Sequence, residues 1–281
     1  MKTVNSLSGG KTSSYIAMNY PADLELFSLV CIDDHNAGGK LKKDKATIQK
    51  VNDRLQKYCS HQKPFVATAE DPKTIYAMLD LEQLIGREIV WLRGKGFGEM
   101  MDIKKAIPNI AWRFCTTEMK MKPIFEHLYM YHELPVKMRI GYRYDEVERK
   151  DNFTDTFKYS YVCNTYGTKQ HKWKELEWRE GDFPLIDNKI FHKDILDFWA
   201  DKNIDWPLDS NCQNCFWKQP QQLRKNHDTN PAIMMWAAIQ EIVRGNRFKK
   251  EISMLEAKDI GLQHEFNFGT GSGCQAGFCT D

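Results

Sequence analysis

The first twenty residues constrain this chain more than any other stretch. A mixed, partly β-branched segment, KTVNSL at residues 2–7, leads directly into Ser8-Gly9-Gly10-Lys11-Thr12-Ser13-Ser14, and a short helical pattern follows to Tyr20, ahead of Pro21. Proline disfavours helical backbone in the residue before it, so the helix stops there. A strand that passes through two glycines straight into a helix is the opening unit of an α/β layer. The alternation continues. ELFSLVCI, residues 25–32, is an unbroken apolar run of the kind buried on both faces of a parallel sheet. Residues 44–59 place Ile48, Val51, Leu55 and Tyr58 on one helical face. KPFVATA (63–69) reads as a third strand and TIYAMLDLEQLI (74–85) as another helix. Strand and helix in turn predict a doubly wound parallel sheet.

From 86 to 135 the pattern is helical and loop-rich, broken at Pro108, with a helix expected over 117–132 and a further strand in VKMRIGY (136–142). Residues 156–180 alternate weakly and are rich in Tyr, Thr and Trp, which predicts a hairpin insertion. Residues 192–203 read as a helix with Ile195, Phe198 and Trp199 inward, and 231–243 as a strongly apolar helix. The tail FNFGTGSGCQAGFCTD is too glycine-rich for regular structure, and no internal repeat is visible. Composition shifts near residue 155, so the expectation is an α/β domain over 1–155 and a smaller α+β region over 156–281.

Charge excludes some partners. Lys plus Arg is 40 against 38 Asp plus Glu, a formal net charge of +2, so a bulk electrostatic grip on nucleic acid is not indicated and only a local basic patch stays open. Hydrophobic residues make up 42 %, too many for a disordered chain. No apolar run approaches the ~18 residues that span a bilayer. Gly9, Gly10 and Lys11 interrupt any secretion-signal core, so the expected location is the cytosol, with no membrane partner. Thiols stay reduced there, and the eight cysteines are then ligands, catalysts or core packing rather than disulfides.

The glycine turn has a chemistry of its own. Gly9 and Gly10 let backbone N–H groups approach an anion, and the following helix N-terminus adds partial positive charge. Lys11 is a point charge; Ser8, Thr12 and Ser13 are hydroxyl donors. The turn is not a Walker A loop, because Asn5 stands where its first glycine belongs, and it is not G-x-G-x-x-G. Arg143 closes a strand, where open sheets bind ligands, and its planar fork suits phosphate or sulfate. Asp145 and Glu146 can hold Arg143, Arg149 or a divalent cation, or form a surface charge cluster of little consequence. Asp33 is a further candidate for the same site, and His35, with Asp33 and Asp34 at the end of the 25–32 run, reads either as lining it or as a satisfied loop histidine. Lys120 and Lys122 read equally well as a solvated helix face.

Four segments resemble one family in its own order. Ser8-Gly9-Gly10-Lys11-Thr12-Ser13 resembles the PP-loop of ATP pyrophosphatases and of phosphoadenosine phosphosulfate (PAPS) and adenosine phosphosulfate (APS) reductases, usually SGGxDS, with Thr12 where Asp is common. Arg113-Phe114-Cys115-Thr116 with Lys120, Lys122 and Pro123 resembles the family's Arg-x-Cys…Lys-x-x-Pro segment. Gly141-Tyr142-Arg143-Tyr144-Asp145-Glu146 with Arg149 resembles its Gly-x-Arg-x-Asp-[Glu/Gln]…Arg segment. Cys212-Gln213-Asn214-Cys215-Phe216 resembles the Cys-x-x-Cys-Phe of phage- and bacterium-borne PAPS-reductase-like proteins. The resemblance covers roughly residues 1–220. It implies an adenine nucleotide α-hydrolase-type fold, with the nucleotide held by Ser8, Gly9, Gly10, Lys11, Thr12, Ser13, Asp33, Arg113, Gly141, Arg143, Asp145, Glu146 and Arg149. It implies Lys11 and Arg143 as catalytic residues, and ATP with Mg²⁺, cleaved to AMP and pyrophosphate, or PAPS or APS in its place. The implied partners are the nucleotide and a nucleic acid or sulfur-donor protein, with a homodimer as an open arrangement.

Cys212 and Cys215 have the spacing of half a soft-metal site. A structural zinc would add Cys274 and Cys279. A [4Fe–4S] cluster would add Cys115 and one tail cysteine, Cys279 ahead of Cys274; the resemblance favours this set, because a cysteine of the Arg-x-Cys segment is a cluster ligand in related proteins. Cys31 reads as core. PAPS and APS reductases carry a tail nucleophile in a Glu-Cys-Gly-[Ile/Leu]-His context, and neither Cys274 nor Cys279 has those neighbours. Three functions therefore compete: an adenylating PP-loop enzyme coupled to sulfur transfer, including nucleic-acid thiolation; a sulfonucleotide reductase; and a non-catalytic nucleotide-binding module with structural zinc. Trp173, Trp178, Trp199 and Trp206, beside Lys169, His171, Lys172, Lys174 and Arg179, either stack on a nucleic-acid strand or form a hairpin with one packed and one solvated face.

Overall fold

The computed structural model describes residues 1–165 and 168–261, without the side chains of 161–171. Strand β1 (Thr3–Leu7) passes through the glycine turn into α1 (Lys11–Asn19). There follow β2 (Leu24–Ser28), β3 (Cys31–Ile32), α2 (Lys45–Cys59), β4 (Ala67–Thr68), α3 (Lys73–Ile85), β5 (Ile89–Leu92) and α4 (Phe97–Lys104). A single turn α5 (Phe114–Thr116), a π-helical turn (Thr117–Met121), α6 (Lys122–Tyr131) and β6 (Val136–Arg139) make up the middle. The rest is a hairpin of β7 (Thr156–Thr165) and β8 (Thr168–Glu177), then β9 (Arg179–Asp182), α7 (Pro184–Asp187), α8 (His192–Trp199), α9 (Pro220–Thr229) and α10 (Pro231–Arg244).

Five strands form one sheet in the order β5-β2-β1-β6-β9, with every neighbouring pair parallel. Alternate residues of a strand point to opposite faces, and both faces are covered. Phe27 of β2 packs with Leu7, Ile16, Ile75 and Trp91 under α1 and α3, joined by Ile195 and Trp199 of α8. Its neighbour Leu26 packs with Val4, Val90 and Met138 under Ile124, Phe125 and Leu128 of α6. Full burial of a side chain such as Phe27 is worth about 1.5–3 kcal/mol. The molecule is thus α/β, compatible with a doubly wound fold. A third core lies beyond the carboxyl ends of the strands, where Ile233, Met234 and Trp236 of α10 meet Val30, Ile32, Phe97, Phe114 and Phe216.

The strand order decides where a ligand can sit. From β1 the chain steps outward through β2 to β5, then returns to the other side of β1 for β6 and β9. The reversal lies between β1 and β6. Loops leaving these two strands diverge and open a crevice at the carboxyl edge of the sheet. Residue 155 lies at the foot of the hairpin, from which the chain comes back to add β9 to the same sheet.

Two strand expectations are corrected. The 25–32 run is not one strand: β2 ends at Ser28, and β3 pairs antiparallel with β4. Beyond Ser28 both parallel neighbours are gone, since β1 has turned at Ser8 and β5 ends at Leu92, so the chain turns to the 67–68 segment instead. KPFVATA contributes only β4 and stays outside the parallel sheet; the Asn52 side chain satisfies the Phe65 backbone, accepting from its N–H at 2.7 Å and donating to its carbonyl at 3.1 Å. The place in the sheet belongs to β5, a four-residue buried run inside the stretch read as helical and loop-rich. The expected helix over 117–132 begins as the π turn and becomes α-helical only from Lys122. Among the described residues no helix is long and apolar enough to cross a membrane.

Candidate functional site

The crevice at the strand reversal is a cavity of about 430 Å³. Ser8, Gly10, Lys11, Thr12 and Ser13 form one wall. Gly9 shapes this wall without lining it. Its φ is +82°, and a Cβ there would stand 2.3 Å from Thr74 Cγ2, so only glycine lets the turn press against α3. Ser13 closes the turn on itself: its hydroxyl accepts from the Ser8 N–H at 3.0 Å and donates to the Gly10 carbonyl at 3.2 Å. Helix α1 begins at Lys11, so its first turn of N–H groups lies at the cavity wall, where an anion is favoured.

The opposite wall comes from the segment after β6. Gly141 lies against the start of α1, where a Cβ would stand 3.5 Å from the Ser13 nitrogen. Arg143 spans the cleft: its guanidinium donates to Thr12 Oγ1 at 3.4 Å, pairs with Asp145 at 3.1 Å and with Glu146 at 3.1 Å. Glu146 also holds Arg149 at 2.9 Å, and Arg149 lies over the Tyr142 ring, 4.2 Å from its centroid. The two carboxylates therefore hold the two arginines. Burial pushes the Asp145 carboxyl up, but the hydrogen bond and charge of Arg143 outweigh it and hold the group below its ordinary range. Lys11, Arg143 and Arg149 line the cavity against Glu146 and Asp209, which leaves its lining positive on balance.

A third wall was not legible in the sequence. His192 and Leu196 of α8 and the segment Trp206, Pro207, Leu208, Asp209, Ser210 and Asn211 complete the cavity. Burial, then the Arg143 charge, push the His192 imidazole down, with Lys11 adding to the effect and Asp145 and Glu146 opposing it. Helix α8 is fixed to the glycine turn by Trp199, whose indole N–H donates to the Lys11 carbonyl at 2.9 Å. The buried Lys218 pairs with Asp209 and so ties the third wall to the chain just after Cys215. The signal available was the position of residues 206–211 directly before the cysteine pair.

The cysteines converge. Cys115, Cys212 and Cys215 line one cavity of about 40 Å³, with Arg113, Lys120 and Asn211. About a hundred positions of sequence separate Cys115 from Cys212, and folding closes that gap. Burial raises the Cys115 thiol; the Thr116 backbone and the charges of Arg113 and Lys120 pull it back. Asn211 lines both this cavity and the loop cavity, so the two are neighbours. Among the described residues no three His, Cys, Asp or Glu side chains are gathered closely enough to hold a metal ion as they stand. Cys274 and Cys279 lie outside the described residues. Cys31 is core, its thiol pushed by burial to about 12.

Other candidates stand apart from the loop cavity. Asp33 pairs at 2.7 Å with the buried Arg93, next to Gly96, and is not part of the lining. Arg113 belongs to the cysteine cavity. Lys120 pairs at 2.9 Å with the fully buried Glu70, while Lys122 lies between Glu118 and Glu126 on the outer helix face. Trp178 and Trp199 are buried, and of the tryptophans read as a stacking set Trp173 is the one clearly exposed. It edges a cavity of about 660 Å³ between α2, α6 and the hairpin, which also presents Tyr58, Tyr129, Tyr131, Tyr159 and Lys158. No protein-family model matches the chain, and no curated protein or solved structure matches it.

Proposed function

We propose that this protein is a PP-loop enzyme of the adenine nucleotide α-hydrolase type, which binds ATP in the loop cavity and cleaves it between the α and β phosphates to activate an acceptor oxygen. One observation carries the reading: the Ser8–Ser13 turn and the Gly141–Arg149 segment, some 130 residues apart, face each other across a cavity of about 430 Å³ at the strand reversal. A volume of that order suits a nucleotide-sized ligand. Lys11, the α1 N-terminus and the Ser8 and Ser13 hydroxyls would hold the phosphates. Arg143 and Arg149 would meet the charge that develops as the acceptor oxygen bonds to the α-phosphorus and pyrophosphate leaves. Their carboxylate partners keep them in place before the nucleotide arrives. Glu146 and Asp209, the carboxylates on the wall, already face cations, so Mg²⁺ would enter on the nucleotide's own phosphates rather than on a protein cage.

The cysteine cavity supplies a candidate for the sulfur chemistry. Three thiols on one cavity are a soft donor set that suits iron or zinc, and Cys279 would be the fourth. A bound cluster would hold or activate sulfur next to the nucleotide; zinc would fix the tail. A cavity of about 40 Å³ favours a single ion, and the eight atoms of a four-iron cluster require the cysteine turn to open. For the acceptor, the large aromatic cavity supports a nucleic acid: its rings offer stacking platforms and Lys158 a cation. The same helix segment borders both places, with Cys115 and Thr116 on the cysteine cavity and Thr117 and Glu118 on the aromatic one.

Product analysis with labelled ATP tests the proposal. AMP and pyrophosphate are the expected products, in amounts that rise with an acceptor nucleic acid. ADP and phosphate as the main products would reject it.

A further inference from the structure

We propose that a second, small cavity beneath β1 and β6 binds a small monovalent anion, of the size and charge of chloride or hydrosulfide, through the Arg179 guanidinium and the Trp178 indole N–H. The site is independent of the nucleotide reading. Arg179 is 2 % exposed and Trp178 1 %. Arg179 Nε donates to the Thr154 carbonyl at 3.0 Å, and Nη1 lies 3.8 Å from Met138 Sδ. The guanidinium stacks on the Phe153 and Trp178 rings, 4.0 and 4.7 Å from their centroids. Nη2 has no hydrogen-bond partner among the described residues, and neither has Trp178 Nε1. Both residues line one cavity of about 30 Å³, bounded also by Ser6, Ser8, Ser28 and Lys120.

The balance of charge separates an anion from a water. Asp155 acts on Arg179 through its charge alone, with no hydrogen bond between the two side chains, although a buried charge left without a close partner is costly. Burial lowers its pKa to about 9, with Asp155 opposing from a distance, so the group still carries its charge at neutral pH. Ring faces offset part of that cost. Water could accept from both donors but brings no countercharge. The volume exceeds the roughly 10–15 Å³ that one water needs and excludes any nucleotide-sized group. The remaining fit is a one-atom or two-atom anion. Chloride and hydrosulfide share that chemistry. The position gives the second a use: Ser6 and Ser8 also line the loop cavity and Lys120 the cysteine cavity, so an anion here lies between the two.

Crystals of the full chain soaked in bromide should show an anomalous peak between Arg179 Nη2 and Trp178 Nε1. In solution, chloride NMR line broadening should report binding, weakened about tenfold or more in Trp178→Phe, which keeps the ring and removes only the donor. Arg179→Met should abolish it; Trp178→Phe guards against that variant failing to fold. Hydrosulfide that displaces bromide at concentrations where chloride does not assigns the site to sulfur, and equal displacement by both assigns it to chloride. A cavity holding water alone, or broadening unchanged in both variants, overturns the proposal.

Discussion

His127 shows how a single buried side chain sets a property of the whole protein. Its ring packs edge-on to Tyr58 at 4.9 Å and lies 5.1 Å from Tyr131 and 5.6 Å from His132, and its Nδ1 has no hydrogen-bond partner among the described residues. Burial, with a smaller push from His132, lowers its pKa from 6.5 to about 4. The unfolded chain therefore takes up a proton first as pH falls, and the folded state loses stability between pH 6.5 and about 4. The loss is on the order of 3 kcal/mol when the window is fully crossed. Glu25 and Glu70, whose carboxyls burial raises, act with the opposite sign, so the comparison must be made between variants. Urea unfolding at pH 7 and pH 4.5 should show a smaller acid loss in His127→Phe than in the wild type. An identical loss in both would contradict this account of the residue. Not every such residue was visible beforehand. That Ser8, Lys11, Thr12, Ser13 and Arg143 line one cavity could be anticipated from a glycine turn after a strand and an arginine at a strand's end, and Arg149 from the family resemblance. The places of His192 and Asp209 on that lining could not, because they depend on where α8 and the 206–211 segment pack.

Elements were legible where burial and periodicity agree. The amphipathic pattern of α2 and the apolar α10 appear in the structure within about a residue of where the sequence puts them. The 25–32 run misled because apolar character reports burial and not partners: β2 and β3 are equally buried, yet one lies in the parallel sheet and the other pairs antiparallel with β4. β5 escaped notice because four residues are too few to show a period. At this scale the segment from α5 to α6 carries the sharpest prediction. It delivers Cys115 to the cavity of Cys212 and Cys215, and these should act as one donor set. Cys115→Ala should lower the metal content of anaerobically purified protein and, if the metal is a cluster, remove its visible absorbance and acid-labile sulfide. Full metal retention in that variant would take Cys115 out of the set, and zinc without sulfide in the wild type would rule out the cluster.

At the scale of the molecule, the parallel sheet places four distant segments at one edge. The glycine turn follows β1, Gly141 and Arg143 follow β6, the Asn211–Cys215 turn follows α8, and Cys115 comes in with the turn before α6. Their order along the chain was readable, and the family resemblance implied that they meet; how they meet was not, since it depends on the strand reversal between β1 and β6 and on α9 and α10 packing across the carboxyl ends of the strands. The account stands or falls on whether the loop cavity is the nucleotide site. Calorimetric titration of ATP into the wild type and Lys11→Ala is the most direct test. The substitution leaves the Lys11 carbonyl in place for Trp199, so the fold around the turn is retained. The account predicts ATP binding by the wild type and a loss of about 2–4 kcal/mol in the variant, roughly 30- to 1,000-fold in affinity, from one or two charge-assisted contacts. Unchanged affinity in Lys11→Ala, or no ATP binding by the wild type, would contradict it.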